Sequence, residues 1–343
     1  MKHSFTNDYS EVAHSKIMEA LVTYSLEQHA GYGLDLHSEN AKKLIKEKFC
    51  LSNADIHFIS GGTQANMLVI SYILRPYEGV VCVDTGHINV HETAAVEGSG
   101  HKIFTMPGKD GKLYPQDIEK CMEINNTEHM VKIKMAYISN STEIGTIYTK
   151  KELEDLSKTC KKYGLYLFMD GARLSSALTS SQNDVACEDI KNYVDVFYIG
   201  GTKIGLMSGE AIVIINDNIK EDFRYHIKNK GAMLAKGFVL GIQFEAAFKD
   251  NLYFEMGKHE NFLAQYLQDE LKKIGIEFYV DSPTNQIFPI VSYEFSKKLS
   301  EYYDFEDWIY FKDKKVVRFV TSWATKMEDC KDLVNDCKKI INM

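Results

Sequence analysis

The chemistry in this chain starts at Lys203. It follows Gly200-Gly201-Thr202 at the end of an apolar run, 194–199, and a second run, 211–215, begins soon after. A lysine among small residues at a strand end is poorly placed as a solvated charge. It is well placed to form a Schiff base with a carbonyl cofactor. Alone, the turn reads equally well as an ordinary glycine-rich connection. Three other strand ends carry chemistry. Ser60-Gly-Gly-Thr63 opens a helix, where free backbone N–H groups attract an anion. Gly62 lets a phosphate approach and the Thr63 hydroxyl can donate to it, although Thr63 also reads as a plain helix cap. His87, in Asp84-Thr-Gly-His87, can stack on an aromatic ring or sit as a satisfied loop histidine. Asp170, after an apolar run, is costly to bury without a cation. Arg173 supplies one, or Asp170 pairs with a protonated ring nitrogen while Arg173 reaches a carboxylate; position on the binding edge favours the second reading.

An anion cradle, a histidine, an aspartate and a lysine at strand ends of one sheet match the needs of pyridoxal phosphate. The His and Cys residues lack metal-ligand spacing.

The elements that must position these groups alternate. Strands are expected at 56–59, 80–83, 103–106, 133–139, 165–169, 194–199 and 211–215. Helices are expected at 14–26, 63–74, 89–96, 116–122, 150–163 and 172–178. This implies an α/β fold, a mostly parallel sheet flanked by helices. After residue 217 the pattern changes to helices at 222–249 and 253–274, strands at 277–280, 286–291 and 316–321, and a last helix at 327–341. That is a small α+β C-terminal domain. The expected division is an N-terminal segment, 1–25, packed with the small domain, a large cofactor domain, 26–250, and the small domain, 251–343. Tyr32, between Gly31 and Gly33, either caps the core or presents its ring from a loop.

With 343 residues, 45% of them apolar, 26% charged and a net charge of −8, the chain is an ordinary globular one. The acidic balance argues against a nucleic-acid surface. No stretch suits a membrane span or a signal peptide. Seven widely spaced cysteines fit a reducing compartment, so a cytoplasmic protein is expected.

The motifs Asn7-Asp-Tyr-Ser10, Gly31-Tyr-Gly33, Ser60-Gly-Gly-Thr63, His87, Asp170-Gly-Ala-Arg173, Gly201-Thr-Lys203 and Arg318-Phe-Val-Thr-Ser-Trp323 resemble the low-specificity threonine aldolases. These belong to the β-eliminating lyases, within the fold-type I pyridoxal phosphate enzymes. The resemblance implies cleavage of threonine or allo-threonine to glycine and an aldehyde. It implies a homodimer or homotetramer with shared active sites. Lys203 would be the Schiff-base lysine, Gly62 and Thr63 phosphate contacts, His87 the stacked residue and Asp170 the ring-nitrogen partner. Thr202, Arg173 and Lys236 would add cofactor contacts. Arg173 and Arg318 would bind the substrate carboxylate, with Asn7 and Tyr32 also on the substrate side. From spacing alone Arg318 reads as a surface strand arginine.

One departure stands out. Many relatives carry a histidine in Glu-Asn-Thr-His after the strand that here ends at Ser139. This chain has Asn140-Ser-Thr142-Glu143. The base for the β-hydroxyl is then His87, Glu92, Glu143 or a water. Another lyase or a racemase on the same scaffold, or a non-catalytic amino-acid sensor, are the rival readings.

Overall fold

The computed structural model describes residues 3–342. In chain order the strands are β1 (His3–Ser4), β2 (Asp55–Ile59), β3 (Glu78–Val83), β4 (Ile103–Met106), β5 (Lys132–Ser139), β6 (Tyr166–Asp170), β7 (Val196–Gly200), β8 (Glu210–Ile214), β9 (Glu277–Phe278), β10 (Gln286–Ile287), β11 (Pro289–Ser292), β12 (Tyr303–Asp304), β13 (Glu306–Tyr310) and β14 (Lys314–Val320).

Seven strands make the central sheet, in the order β2-β8-β7-β6-β5-β3-β4. The neighbours from β4 to β7 pair in parallel, and β8 runs antiparallel to both β7 and β2. A parallel sheet needs both faces covered, and the side chains show it. On β5, Ala136 and Ile138 enter one core while Met135 and Tyr137 enter the other. Each large apolar side chain so buried contributes about 1.5–3 kcal/mol.

A second sheet, order β10-β14-β11-β9 with β13 also on β14, is antiparallel. Its core joins Val317 and Phe319 of β14 to Leu263 and Leu267 of the helix Leu252–Lys273 and to Leu333 of the helix Met327–Ile341. Phe5 lies in the same core, and β1 pairs in parallel with β12. The chain start is therefore stitched to the smaller sheet.

Four differences from the sequence pattern have physical causes. The expected helix 222–249 is two, Phe223–Asn229 and Phe238–Phe248. Between them Gly231 takes φ +72°, and a Cβ on Gly237 would lie 2.7 Å from the Gly33 nitrogen. The expected helix 89–96 is broken into His87–Val90 and Ala95–Gly98 by Thr93 and Ala94 at φ 49° and 58°. The expected strand 286–291 divides at Phe288-Pro289, since proline cannot donate to a ladder. The helix Leu36–Lys48 and β13 are additions; Asp35 starts that helix by accepting from Ser38 N at 2.8 Å.

Candidate active site

The carboxyl ends of the central strands bring the sequence-derived residues together. After β2 the chain turns at Gly61, in extended conformation, into the helix Gly62–Ile73, with no side chain capping its first turn. The reading of Thr63 as the cap gives way: Gly61 holds that position, and Thr63 lies exposed within the first turn. The free N–H groups and the helix dipole there form an anion cradle. A Cβ on Gly62 would sit 3.1 Å from the Tyr198 hydroxyl, so the cradle wall has no room to grow.

Asp170 ends β6 and is buried. Its Oδ2 accepts from the Tyr137 hydroxyl at 2.5 Å and from Asn66 Nδ2 at 3.2 Å, and its Oδ1 accepts from Ala172 N at 2.9 Å. Burial, then the charge of Asp170, pushes the Tyr137 phenol well up, so it stays a donor. Asn66 Nδ2 also donates to Glu92 Oε1 at 2.6 Å, and that oxygen lies 2.7 Å from His87 Nδ1. One chain of hydrogen bonds thus runs His87–Glu92–Asn66–Asp170–Tyr137. With Nδ1–H given to Glu92, His87 presents Nε2 elsewhere. Burial pulls His87 down, but the Glu92 hydrogen bond and the charges of Glu143 and Asp170 outweigh it, and its pKa rises. Glu92 turns inward to make this link at the point where the helix breaks.

Lys203 follows β7. Gly200 and Gly201 are required before it: Cβ atoms there would lie 2.2 Å from Ala172 O and 2.5 Å from Gly209 O. The Thr202 hydroxyl accepts from Gly209 N at 3.0 Å, bracing the turn. Burial and then the Arg173 charge lower the Lys203 pKa, against Asp8, Glu143 and Asp170. A lowered amine pKa makes the neutral, nucleophilic form easier to reach. Glu210, whose Oε2 accepts from Gly201 N at 2.9 Å, is pushed up to about 7 by burial.

Arg173 and Arg318 approach from different sheets. Arg173 is bound bidentately by the fully buried Asp8, Nε to Oδ2 at 2.7 Å and Nη2 to Oδ1 at 3.1 Å. Arg318, on β14, pairs with Glu306, donates to Gln286 Oε1 at 3.2 Å, and lies 4.9 Å over the Trp308 ring. Burial and then the Arg173 charge lower its pKa. Its Nη2 also donates to Thr6 O at 3.4 Å, two residues before the Asp8 that holds Arg173, so the two guanidinium groups lie near one another. Arg318 is buried, so the surface reading is corrected.

Glu143 faces the same region. Its charge is felt by His87, His91, Arg173, Lys203 and Arg318. Thr142 instead turns its hydroxyl to Thr146 Oγ1 at 2.7 Å.

Three expected residues stand apart within the single chain. Asn7 caps its own turn, accepting from Tyr9 N at 2.9 Å and Ser10 Oγ at 3.0 Å, and it is the next residue, Asp8, that points inward. Tyr32 is 45% exposed, which corrects its reading as a core cap. Its carbonyl accepts from Arg224 at 2.8 Å and Lys228 Nζ lies 4.8 Å over its ring. Lys236 is exposed. Sequence reasoning missed Asp8, Asn66, Tyr137, Glu210 and Trp308.

The chain matches the beta-eliminating lyase family over residues 9–294. It belongs to that family. This lyase is 30% identical over 316 residues to the low specificity L-threonine aldolase of Pseudomonas sp. (strain NCIMB 10558), covering 91% of this chain and 90% of that protein. A Leishmania major threonine aldolase structure is 48% identical, with TM-score 0.98 and 99% of both chains covered. The aspartate aminotransferase of Thermus thermophilus, at 15% identity and TM-score 0.72 over 99% of this chain and 91% of that one, shares the fold alone. The lyase thus has the fold of the fold-type I pyridoxal phosphate enzymes. Among the described residues no helix is long and apolar enough to cross a membrane.

Proposed function

We propose that this lyase cleaves β-hydroxy-α-amino acids, threonine and allo-threonine among them, to glycine and an aldehyde with pyridoxal 5'-phosphate. The observation that carries this reading is Lys203 set among Asp170, the uncapped helix start and two arginines from different sheets. The threonine aldolases among its relatives support the same reaction.

The residues fit the cofactor. The uncapped first turn at Gly62 and Thr63 suits a phosphate, with Thr202 beside it. Asp170, held in place by Tyr137, Asn66 and Ala172, suits a protonated ring nitrogen. His87 suits the ring face, and Lys203 the aldehyde carbon. When bound there, pyridoxal phosphate supplies the electron sink for the pair released as the Cα–Cβ bond breaks.

The chain's own groups do the rest. Arg318 and the part of Arg173 not spent on Asp8 hold the substrate carboxylate and so orient the bond to be broken. Glu143, placed among five basic groups, accepts the β-hydroxyl proton in place of the histidine found in relatives. That proton loss lets the β-carbon leave as an aldehyde, and Cα takes up a proton to give glycine. His87, tied to Glu92, keeps its ring orientation fixed.

Tyr32 and Lys236, exposed in one chain, complete a neighbouring subunit's site in a homodimer or homotetramer. Cytoplasmic residence belongs to the same reading, since all seven cysteines are free. The division into residues 1–25, 26–250 and 251–343 belongs to it too, with the substrate between the two sheets.

The test is product analysis with L-threonine and L-allo-threonine, together with borohydride reduction and mass spectrometry. Glycine plus acetaldehyde is expected, with the cofactor mass fixed on the peptide carrying Lys203 and absent in Lys203→Ala. Ammonia and a keto acid, or the enantiomer alone, would give the scaffold another reaction. A reduced adduct surviving Lys203→Ala would displace the lysine.

A further inference from the structure

We propose that Glu27, His29 and His37 form a binding site for one divalent transition-metal ion of the zinc class. The site lies at the connection between the helices Ser15–Thr23 and Leu36–Lys48, outside the groups assigned to catalysis.

His37 is the fixed member. It is buried in the first turn of its helix, and its Nδ1 lies 2.5 Å from Glu245 Oε2. Asn40 Nδ2 donates to the other Glu245 oxygen at 2.9 Å, which holds that carboxylate in place. A carboxylate that takes Nδ1–H orients the ring and leaves Nε2 as the donor, the usual arrangement behind a metal-bound histidine. His37 Nε2 lies 4.0 Å from Glu27 Oε2.

His29 supplies the third donor. Its ring packs edge-on to His37 with centroids 5.1 Å apart, and against Phe238 at 4.7 Å. Its Nε2 is buried without a hydrogen-bond partner among the described residues. A buried imidazole nitrogen with no partner is what an absent ligand would leave.

One donor atom from each of the three residues lies within 4.8 Å of the others. Tetrahedral zinc, with bonds of about 2.0–2.1 Å, asks for donors about 3.3 Å apart. The Glu27 side chain is 56% exposed, so it is the member free to swing inward. Two imidazoles and a carboxylate favour zinc, cobalt, nickel or copper over magnesium or calcium. The carboxylates of Glu27 and Glu245 balance a charge of two. The fourth position is left to water. The ion would pin the segment that carries Tyr32 between two helices, so its role is to order that loop.

The test uses the full-length, cofactor-loaded protein after chelator treatment. Cobalt(II) is titrated and read by visible absorption, zinc by calorimetry and by thermal midpoint. One ion per chain is expected, with weak d–d bands and no intense sulfur charge-transfer band. His29→Ala and Glu27→Gln should each weaken binding at least tenfold and abolish the zinc-induced rise in midpoint. No binding up to millimolar metal would overturn the site and leave His37 as an imidazole held by carboxylates alone. Binding undiminished in either variant, or carried by thiol ligands, would overturn it equally.

Discussion

Arg173 grips Asp8 with two nitrogens, at 2.7 and 3.1 Å, and Asn285 Nδ2 adds a third donor to Asp8 Oδ2 at 3.0 Å. The pair joins residues 165 apart in sequence and ties the chain start to the end of β6. Breaking a buried pair from one side strands the other charge. Asp8→Asn should therefore destabilise the fold by about 3–5 kcal/mol. Burial raises the Asp8 pKa, but the charges of Arg173 and Lys203 and the hydrogen bonds from Arg173 and Asn285 more than offset it, and the net direction is down. Because the folded pKa is depressed, the pair's stabilisation is complete above the ordinary aspartate value of about 3.9 and is lost as pH falls through the folded one. Urea melts of wild type and Asp8→Asn at neutral pH and near pH 3 check this: the gap between them should shrink at the lower pH. A constant gap would mean the pair carries no charge-linked stability.

Glu92 shares one oxygen between His87 and Asn66. A glutamine there has one acceptor oxygen and no charge. Glu92→Gln should lower the His87 pKa, since the hydrogen bond that raises it is lost or weakened. His87 is raised in the fold, so its stabilising contribution is full below about 6.5 and fades as pH rises through the folded value. Glu92→Gln should flatten that part of the stability profile. Imidazole resonances followed by NMR across pH 5–9 give the direct reading, and an unmoved His87 titration would detach it from Glu92.

Glu143→Gln removes the proposed base while keeping shape. General-base groups contribute about 10²–10⁴ in rate. The expectation is a fall in kcat of that order with KM changed little, because the carboxylate clamp is untouched. Glu143→Asp should recover part of the rate. If Glu143→Gln kept kcat within about threefold, well short of a base's contribution, the proton would have to go to His87, Glu92 or a water.

The strands were legible because buried parallel strands are near-continuous apolar runs, and β3, β6 and β7 are of that kind; β8, antiparallel but buried along its length, reads the same way. Lys203, Asp170 and the helix start after β2 were legible because a strand end followed by glycines has few other uses. The partners were not. Tyr137 reads as one more core aromatic inside β5, and Asn66 as a stray polar residue in an apolar helix. Asp8 lies in a polar stretch without periodicity, so its neighbour Asn7 drew the role. The break at Thr93 and Ala94 follows from Glu92 reaching inward to His87, a tertiary demand that overrides a helical pattern. Tyr32 and Lys236 sit in glycine-flanked loops with no periodicity to place them, and both are exposed in the single chain.

Arg318 carries the last prediction. It sits on β14 between Val317 and Phe319, which face the small core, so its side chain leaves from the opposite face. There it is braced from several sides, by Glu306, by Gln286 Oε1 and by the Trp308 ring under its guanidinium, while its Nε has no partner among the described residues. A guanidinium held this way is a preformed fork for a carboxylate, whereas lysine offers a point charge and cannot stack in the same plane. Arg318→Lys should raise KM for L-allo-threonine by about tenfold or more, because a charge-assisted hydrogen bond contributes about 1.5–3 kcal/mol. It should also lower kcat, because a carboxylate held by one group no longer fixes which Cα bond faces the ring. Cofactor affinity should not change, since Arg318 touches none of the groups assigned to phosphate or ring. Steady-state kinetics beside a cofactor titration decides it. Unchanged kinetic constants, or lost cofactor affinity with substrate affinity intact, would move Arg318 out of the carboxylate clamp and leave Arg173, already committed to Asp8, as its only member.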